Sequence, residues 1–257
     1  MLGGALPRAF ECLLHWMLAD LARGEQMPAN LEDARRLLGD GALFRKLAAN
    51  DRDSLVARAH IRSFGAGDTI FRMGDLHDSM IAILDGEVRI SIPSADGKEL
   101  VLAIVYAGDV FGEIAMLDGK PRSADATALT ACTLAVLDRR DVLAALGRNP
   151  DAWLGLMEVL CSRLRRTDHH LVELALLGLP ARLAKTLLRA VDTIPAHAPN
   201  RASLRLSQSE LANRVGASRE SVNKCFQEWR RAGIIRTDKR VITIVDRAAL
   251  EALVEPE

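Results

Sequence analysis

The chain has 257 residues, 49% of them hydrophobic, with Lys plus Arg equal to Asp plus Glu at 34 each. That length and apolar content provide for one large or two modest globular domains and exclude general disorder. A formal net charge of zero gives the whole chain no electrostatic attraction to nucleic acid, so any basic surface must be local.

The stretch from Cys12 to Leu21 is apolar-rich, but Glu11, His15 and Asp20 punctuate it and no small-residue cleavage site follows. This argues against a secretory signal and predicts a helix in an N-terminal extension over 1–40, either an added docking helix or an over-extended start. From Ile61 to Leu137 glycines recur at Gly65, Gly67, Gly74, Gly86, Gly97, Gly108 and Gly119 between short Ile-, Val- and Leu-rich runs. In GEVRISI, Val88, Ile90 and Ile92 alternate with Arg89 and Ser91, and Thr127 to Leu137 reads similarly. Short strands at this spacing predict a roll or jelly-roll over 41–148.

Asn149-Pro150-Asp151 offers an N-cap, a first-turn proline and an acid at the positive helix end, so a long helix is predicted over 149–177. Its residues Trp153, Leu156, Leu160, Leu164, Leu171 and Leu174 fall at three- and four-residue steps, with Thr167 filling the remaining position. That spacing fits the seam of a dimer helix, the alternative being a helix lying on its own domain. Leu177-Gly178-Leu179-Pro180 interrupts it at a predicted hinge. The remainder, 178–257, begins with a helix over Ala181 to Val191 and a proline-containing loop from Ile194 to Asn200.

LSQSELANRVGASRESVNKCFQEWRRAGII, from Leu206 to Ile235, carries a capping box at Ser207 and Glu210, a turn at Gly216 and a second cap at Ser218. Leu211, Val215, Val222 and Phe226 supply the packing contacts, which makes a helix-turn-helix by local chemistry. Between Arg201 and Arg240 ten Lys or Arg stand against Glu210, Glu220, Glu228 and Asp238, so the neutral chain contains a basic domain. Lys239-Arg240 followed by VITIV reads as a hairpin wing.

Cys12, Cys132, Cys161 and Cys225 are scattered, which disfavours a disulfide framework, a zinc site and an iron–sulfur cluster and fits a reducing cytoplasm. The adjacent His169 and His170 do not share a helix face and make a poor chelating pair, so no metal site is expected. No apolar run reaches the roughly 20 residues of a membrane span. An enzyme is the rival class, but no nucleophile–base pair, metal constellation or phosphate-cradling loop is present and no catalytic residue is assigned.

The run FGEIAMLDGKPRSA from Phe111 to Ala124 resembles the phosphate-binding cassette of cyclic-nucleotide-binding domains. With the helix-turn-helix, the resemblance extends to the cyclic-AMP receptor protein/fumarate-nitrate regulator family, closest to its receptor branch, from about Leu43 to Val245. It implies an α+β chain: an N-terminal β-roll, a long dimerisation helix and a C-terminal winged helix-turn-helix. It further implies a transcription regulator in the cytoplasm that binds cyclic AMP or cyclic GMP, acts as a homodimer on a pseudo-palindromic double-stranded operator, and engages RNA polymerase. A ligand-independent regulator of the same fold is the other alternative.

By this resemblance Arg122 pairs with the cyclic phosphate and Ser123 donates to the same oxygens. Glu113 accepts from the ribose 2′-hydroxyl, Gly112 admits the ligand to the backbone, and Ile114 and Ala115 complete the pocket. Thr167 falls where the family reads the adenine amine. Asp168 replaces a serine there, and its carboxylate could accept from adenine N6 or twice from guanine. In ASRESVNK, Arg219 reads guanine and Glu220 cytosine, while Lys224 keeps the charge of a family arginine without its fork. Ser209, Ser218 and Ser221 are expected phosphate contacts.

Overall fold

The computed structural model describes residues 43–94, 99–192, 194, 203–239 and 241–254. The expected N-terminal extension with Cys12, the Gly97 turn, Arg201, Arg240 and all but the first residue of the Ile194 to Asn200 loop lie outside them. The chain forms two compact units. One comprises the described residues through Val88 with Val105–Leu156; the other comprises Arg89–Ile104 with the described residues from Met157 onward.

In the first unit a 3-10 turn at Phe44–Lys46 leads into α1 (Ala49–Arg58). The strands follow as β1 (His60–Phe64), β2 (Thr69–Phe71), β3 (Met80–Asp85), β4 (Glu87–Pro93), β5 (Glu99–Tyr106) and β6 (Val110–Phe111). After the short helix α2 (Glu113–Asp118) come β7 (Asp125–Ala128), β8 (Cys132–Leu137) and α3 (Arg139–Arg148). The strands order as β1-β8-β3-β6 and β2-β7-β4-β5. The register of the first sheet runs from His60 opposite Val136 to Phe64 opposite Cys132, and from Met80 opposite Leu137 to Ile83 opposite Leu134. The unbroken apolar run Met80 to Leu84 is buried throughout, as befits a strand covered on both faces.

Three local expectations change. The stretch Thr127 to Leu137 is two strands rather than one, divided by a turn in which the Thr130 hydroxyl accepts from Glu87 N at 3.0 Å. The alternation in β4 is only partial, because its fully buried residues are Val88 and Ser91. Ser91 can be buried because its hydroxyl donates to the Glu99 carboxylate, which Arg89 Nε also approaches at 3.2 Å. Asn149, expected to cap its own helix, instead accepts from Ala48 N at 3.0 Å and donates to Asp51 at 2.6 Å, anchoring α1.

The long helix α4 (Pro150–Leu176) starts and stops where proline and glycine predict. Its exposed face differs in phase from the expected seam. Leu156 is fully buried in the first unit, and the exposed stripe runs through Leu154, Met157, Cys161, Leu164, Asp168, Leu171 and Ala175. Those steps alternate three and four residues without a break.

The second unit continues with α5 (Leu179–Asp192), β9 (Ser203–Arg205), α6 (Gln208–Val215), α7 (Arg219–Arg231), β10 (Ile235–Asp238), β11 (Val241–Ile244) and α8 (Arg247–Ala252). Leu183, Leu187, Leu211, Val222, Phe226 and Leu250 are all 0% exposed and centre its core. At the elbow between α4 and α5, the buried Glu173 receives Lys185 Nζ at 3.0 Å and Arg189 NH2 at 2.5 Å. Burial alone would raise this carboxyl, but the hydrogen bonds and charges of Lys185 and Arg189 outweigh it and hold it below the usual carboxylate range.

A carboxyl depressed on folding stabilises fully above its unfolded pKa of about 4.3, and the contribution fades as pH falls through the folded value. Glu173→Gln is therefore expected to cost about 1–3 kcal/mol at neutral pH. Thermal melts should show that cost shrinking as the pH is lowered below about 4; a pH-independent difference would refute the ionic role. Among the described residues no helix is long and apolar enough to cross a membrane, and no group of His, Cys, Asp and Glu is placed to hold a metal ion.

Candidate functional site

The cassette is organised around a buried cation. Arg122 is 3% exposed, and its hydrogen bonds go to neutral acceptors: NH1 donates to the Ser79 carbonyl at 2.8 Å and the Gly112 carbonyl at 3.0 Å, NH2 to the Ser79 hydroxyl at 2.9 Å. The guanidinium stacks 4.3 Å from the Phe71 ring centre. Nε is buried with no hydrogen-bond partner among the described residues. Burial lowers the guanidinium to about 10, against the raising influence of Asp78, Asp75 and Glu113, so it stays charged at neutral pH. A cation held by dipoles rather than by a bonded carboxylate is prepared for an external anion.

The backbone around it is equally constrained. Gly112 takes a left-handed φ of 77° where β6 gives way to α2. A Cβ there would lie 3.1 Å from the Ser79 carbonyl and collide with the Arg122 guanidinium, so only glycine fits. Glu113 opens α2 completely buried, Ala115 is buried, and Ile114 is 46% exposed. The first-turn N–H groups of Ile114 and Ala115 are of the kind a helix start leaves without an internal partner. Ser123 is exposed beside Arg122. The structure thus brings Gly112, Glu113, Ile114, Ala115, Arg122 and Ser123 together. An anion flanked by hydroxyls suits these donors: a guanidinium for phosphate, a carboxylate for a ribose hydroxyl.

Sequence reading missed the loop that seats Arg122. Gly74 N donates to the Arg122 carbonyl at 2.8 Å, and Arg122 N donates to the Asp75 carbonyl at 2.9 Å. Ser79 and Phe71 hold the guanidinium from 43 and 51 residues away in sequence, and the only local signal was Gly74, whose φ is 92°. Thr167 and Asp168 lie on α4 in the other unit, both exposed. Thr167 Oγ1 donates to the Arg163 carbonyl at 3.0 Å, the back-bond open to threonine in a helix. His169 is exposed and His170 half-buried on the same helix.

In the second unit the capping box forms as its residues predict: Ser207 Oγ accepts from Glu210 N at 3.1 Å, and Glu210 Oε2 accepts from Ser207 N at 2.6 Å. Gly216, with φ 63°, turns the chain between α6 and α7. Ser218 Oγ caps α7 by accepting from Ser221 N at 3.1 Å and lies 3.0 Å from Ser221 Oγ, so that hydroxyl already serves the helix start. Val222, Cys225, Phe226 and Trp229 bury one face of α7, leaving Arg219, Glu220, Ser221 and Lys224 exposed at its N-terminal end. Ser209 is exposed in the first turn of α6. An exposed Arg, Glu and Lys on one helix end can reach base edges in a major groove.

Comparison with known proteins identifies both regions. Residues 61–149 match the cyclic nucleotide-binding domain family and residues 181–253 the Crp-like helix-turn-helix domain family. The chain is 31% identical over 216 residues to a CRP-like cAMP-activated global transcriptional regulator of Mycobacterium tuberculosis, covering 83% of this chain and 96% of that protein. Among solved structures it is similar to a CRP/FNR-family transcriptional regulator from Thermus thermophilus, at 31% identity and TM-score 0.65, covering 77% and 99% of the two chains. It is also similar to the c-di-GMP responsive global regulator CLP of Xanthomonas campestris, at 25% identity and TM-score 0.70, covering 77% and 99%.

Proposed function

The chain belongs to the CRP/FNR family of cyclic-nucleotide-responsive, DNA-binding transcriptional regulators, and from that premise we propose that its ligand is cyclic AMP and its working form a homodimer. The observation that carries the ligand reading is Arg122: a buried, charged guanidinium bonded to neutral acceptors, beside Glu113 and the Gly112 approach. The dimer rests on the unbroken heptad of exposed residues along α4, which a second copy would cover. In the cytoplasm this dimer reads a pseudo-palindromic operator through Arg219, Glu220 and Lys224, with Ser209, Ser218 and Ser221 on phosphates, and then engages RNA polymerase. Half-site centres should lie about one helical turn, ~34 Å, apart.

Calorimetry of the full chain with cyclic AMP, cyclic GMP and cyclic di-GMP, followed by operator binding with each, tests the reading. Tight binding of cyclic AMP alone, with DNA binding that depends on it, is expected. DNA binding indifferent to all three would leave a ligand-independent regulator.

A second reading, cyclic GMP, is favoured by one observation: Asp168 presents an exposed carboxylate on α4 where the family serine would stand. A carboxylate can accept from both guanine N1–H and N2–H, and hydrogen bonds to charged groups contribute about 1.5–3 kcal/mol. Asp168→Ser is thus expected to raise the preference for cyclic AMP over cyclic GMP by about tenfold or more. An unchanged affinity ratio would show that Asp168 does not read the base.

A further inference from the structure

The β10–β11 register closes with Asp238 opposite Val241, leaving only Lys239 and Arg240 to make the turn. Two-residue hairpin turns need left-handed backbone, which Gly, Asn and Asp adopt at least cost. Among the described residues eight glycines take a positive φ, and Lys239, with φ 51°, is the only other residue that does. A chain that uses glycine eight times for this geometry uses a lysine at the wing tip. Backbone strain of this kind persists where the side chain has a task.

Lys239 is exposed and makes no hydrogen bond or ion pair with a described residue. Its surroundings are basic: Arg236 on β10, Arg205 on β9 and Arg231 at the end of α7 are also exposed, and Asp238 is the one acid on the hairpin. Arg230 NH1 donates to Thr237 Oγ1 at 3.1 Å, tying the last turn of α7 to the strand close to its tip. Arg230 stands eleven residues beyond Arg219, about 16 Å along the helix. The tip therefore lies beside the far end of α7 from the expected base-reading residues.

We propose that Lys239 at the wing tip is a second DNA contact, a sequence-independent one to a backbone phosphate flanking the bases that α7 reads. The proposal rests on the reading of this domain as DNA-binding. Strain at the tip is accepted to hold an ammonium at the end of a hairpin, where glycine would fold more easily and touch nothing. A phosphate contact of this type sets register and adds salt-dependent affinity without choosing sequence.

Lys239→Gly separates backbone from charge. The full chain should melt at the same temperature or higher, and nucleotide affinity of the free protein should be unchanged. Affinity for an operator and for an unrelated duplex should both fall, by about eightfold per lost contact at 0.1 M salt, with the slope of log K against log salt shallower by about 0.9 per contact. Lys239→Asn, which tolerates the turn without the charge, should behave alike, and Lys239→Arg should restore binding. Equal affinity and an equal salt slope in Lys239→Gly and the unaltered chain overturn the proposal, as does a loss confined to one sequence. If the unaltered chain itself binds no duplex with nucleotide present, the DNA-binding reading falls as well.

Discussion

Arg122→Ala is expected to lose cyclic-nucleotide binding and, through it, specific DNA binding, and to lower stability at the same time. Removing the buried partner of an anion costs about 2–5 kcal/mol, a loss of some thirtyfold to several-thousandfold in affinity. The stability effect follows from the other partners of the same side chain. The Ser79 carbonyl, the Ser79 hydroxyl and the Gly112 carbonyl all lose a donor, and the Phe71 ring loses its stacked cation. Buried acceptors left unsatisfied cost about 1–3 kcal/mol each, so about 3–5 kcal/mol in total is expected. Calorimetry must therefore be run below the variant's own melting temperature. Ser79→Ala, which removes one acceptor and leaves the charge, reports the structural share separately.

The link to DNA is thermodynamic. A ligand shifts the population toward the DNA-competent form only by its differential affinity, and operator must tighten nucleotide binding by the same factor. Arg219→Ala serves as the control, keeping nucleotide affinity while losing about 1–3 kcal/mol at a guanine position. Binding should be measured at one fixed salt concentration. If Arg122→Ala holds operator without nucleotide as tightly as the unaltered protein does with it, the coupling is wrong.

Leu164→Glu is expected to turn the dimer into monomers. Leu164 is 62% exposed on a single chain, so glutamate there costs the monomer little, but it lies mid-stripe with Leu171, 63% exposed, one heptad on. In a parallel seam a residue faces its own copy, so two carboxylates would meet in an apolar contact at a cost of several kcal/mol. Sedimentation shows the shift in mass, and an unaltered far-ultraviolet spectrum shows that the chain has stayed folded. A variant that sediments as a dimer would place the interface elsewhere.

How much of this could be read from the chain depends on how far apart the partners are. The capping box at Ser207 and Glu210, the Gly216 turn and the break at Gly178 are settled by residues within four positions, and each forms as read. Gly112 and Arg122 were recognisable within a run of fourteen residues. The partners of Arg122 were not, because Ser79 and Phe71 reach it through strand order, which periodicity does not report. The seam was found but out of phase: Leu154, Leu156 and Met157 are all apolar, and only packing in the first unit decides that Leu156 turns inward. Ser91 and Asn149 were misjudged for a related reason, since a polar side chain's place follows from the distant group that satisfies it.

Glu173 has a mechanical meaning beyond its contribution to stability. By gripping Lys185 and Arg189, one turn apart on α5, it ties that helix at two points just past a glycine break that would otherwise act as a loose joint. A joint with play absorbs rotation, whereas a clamped one passes it on. The fourteen residues of α5 span about 21 Å, so a roll of about 10° at the clamped end swings the far end by about 4 Å, more than a hydrogen bond can follow. The elbow is in effect a gear, and Glu173 sets its backlash: with the grip intact, a small turn of α4 must reappear as a large displacement at the distal end of α5.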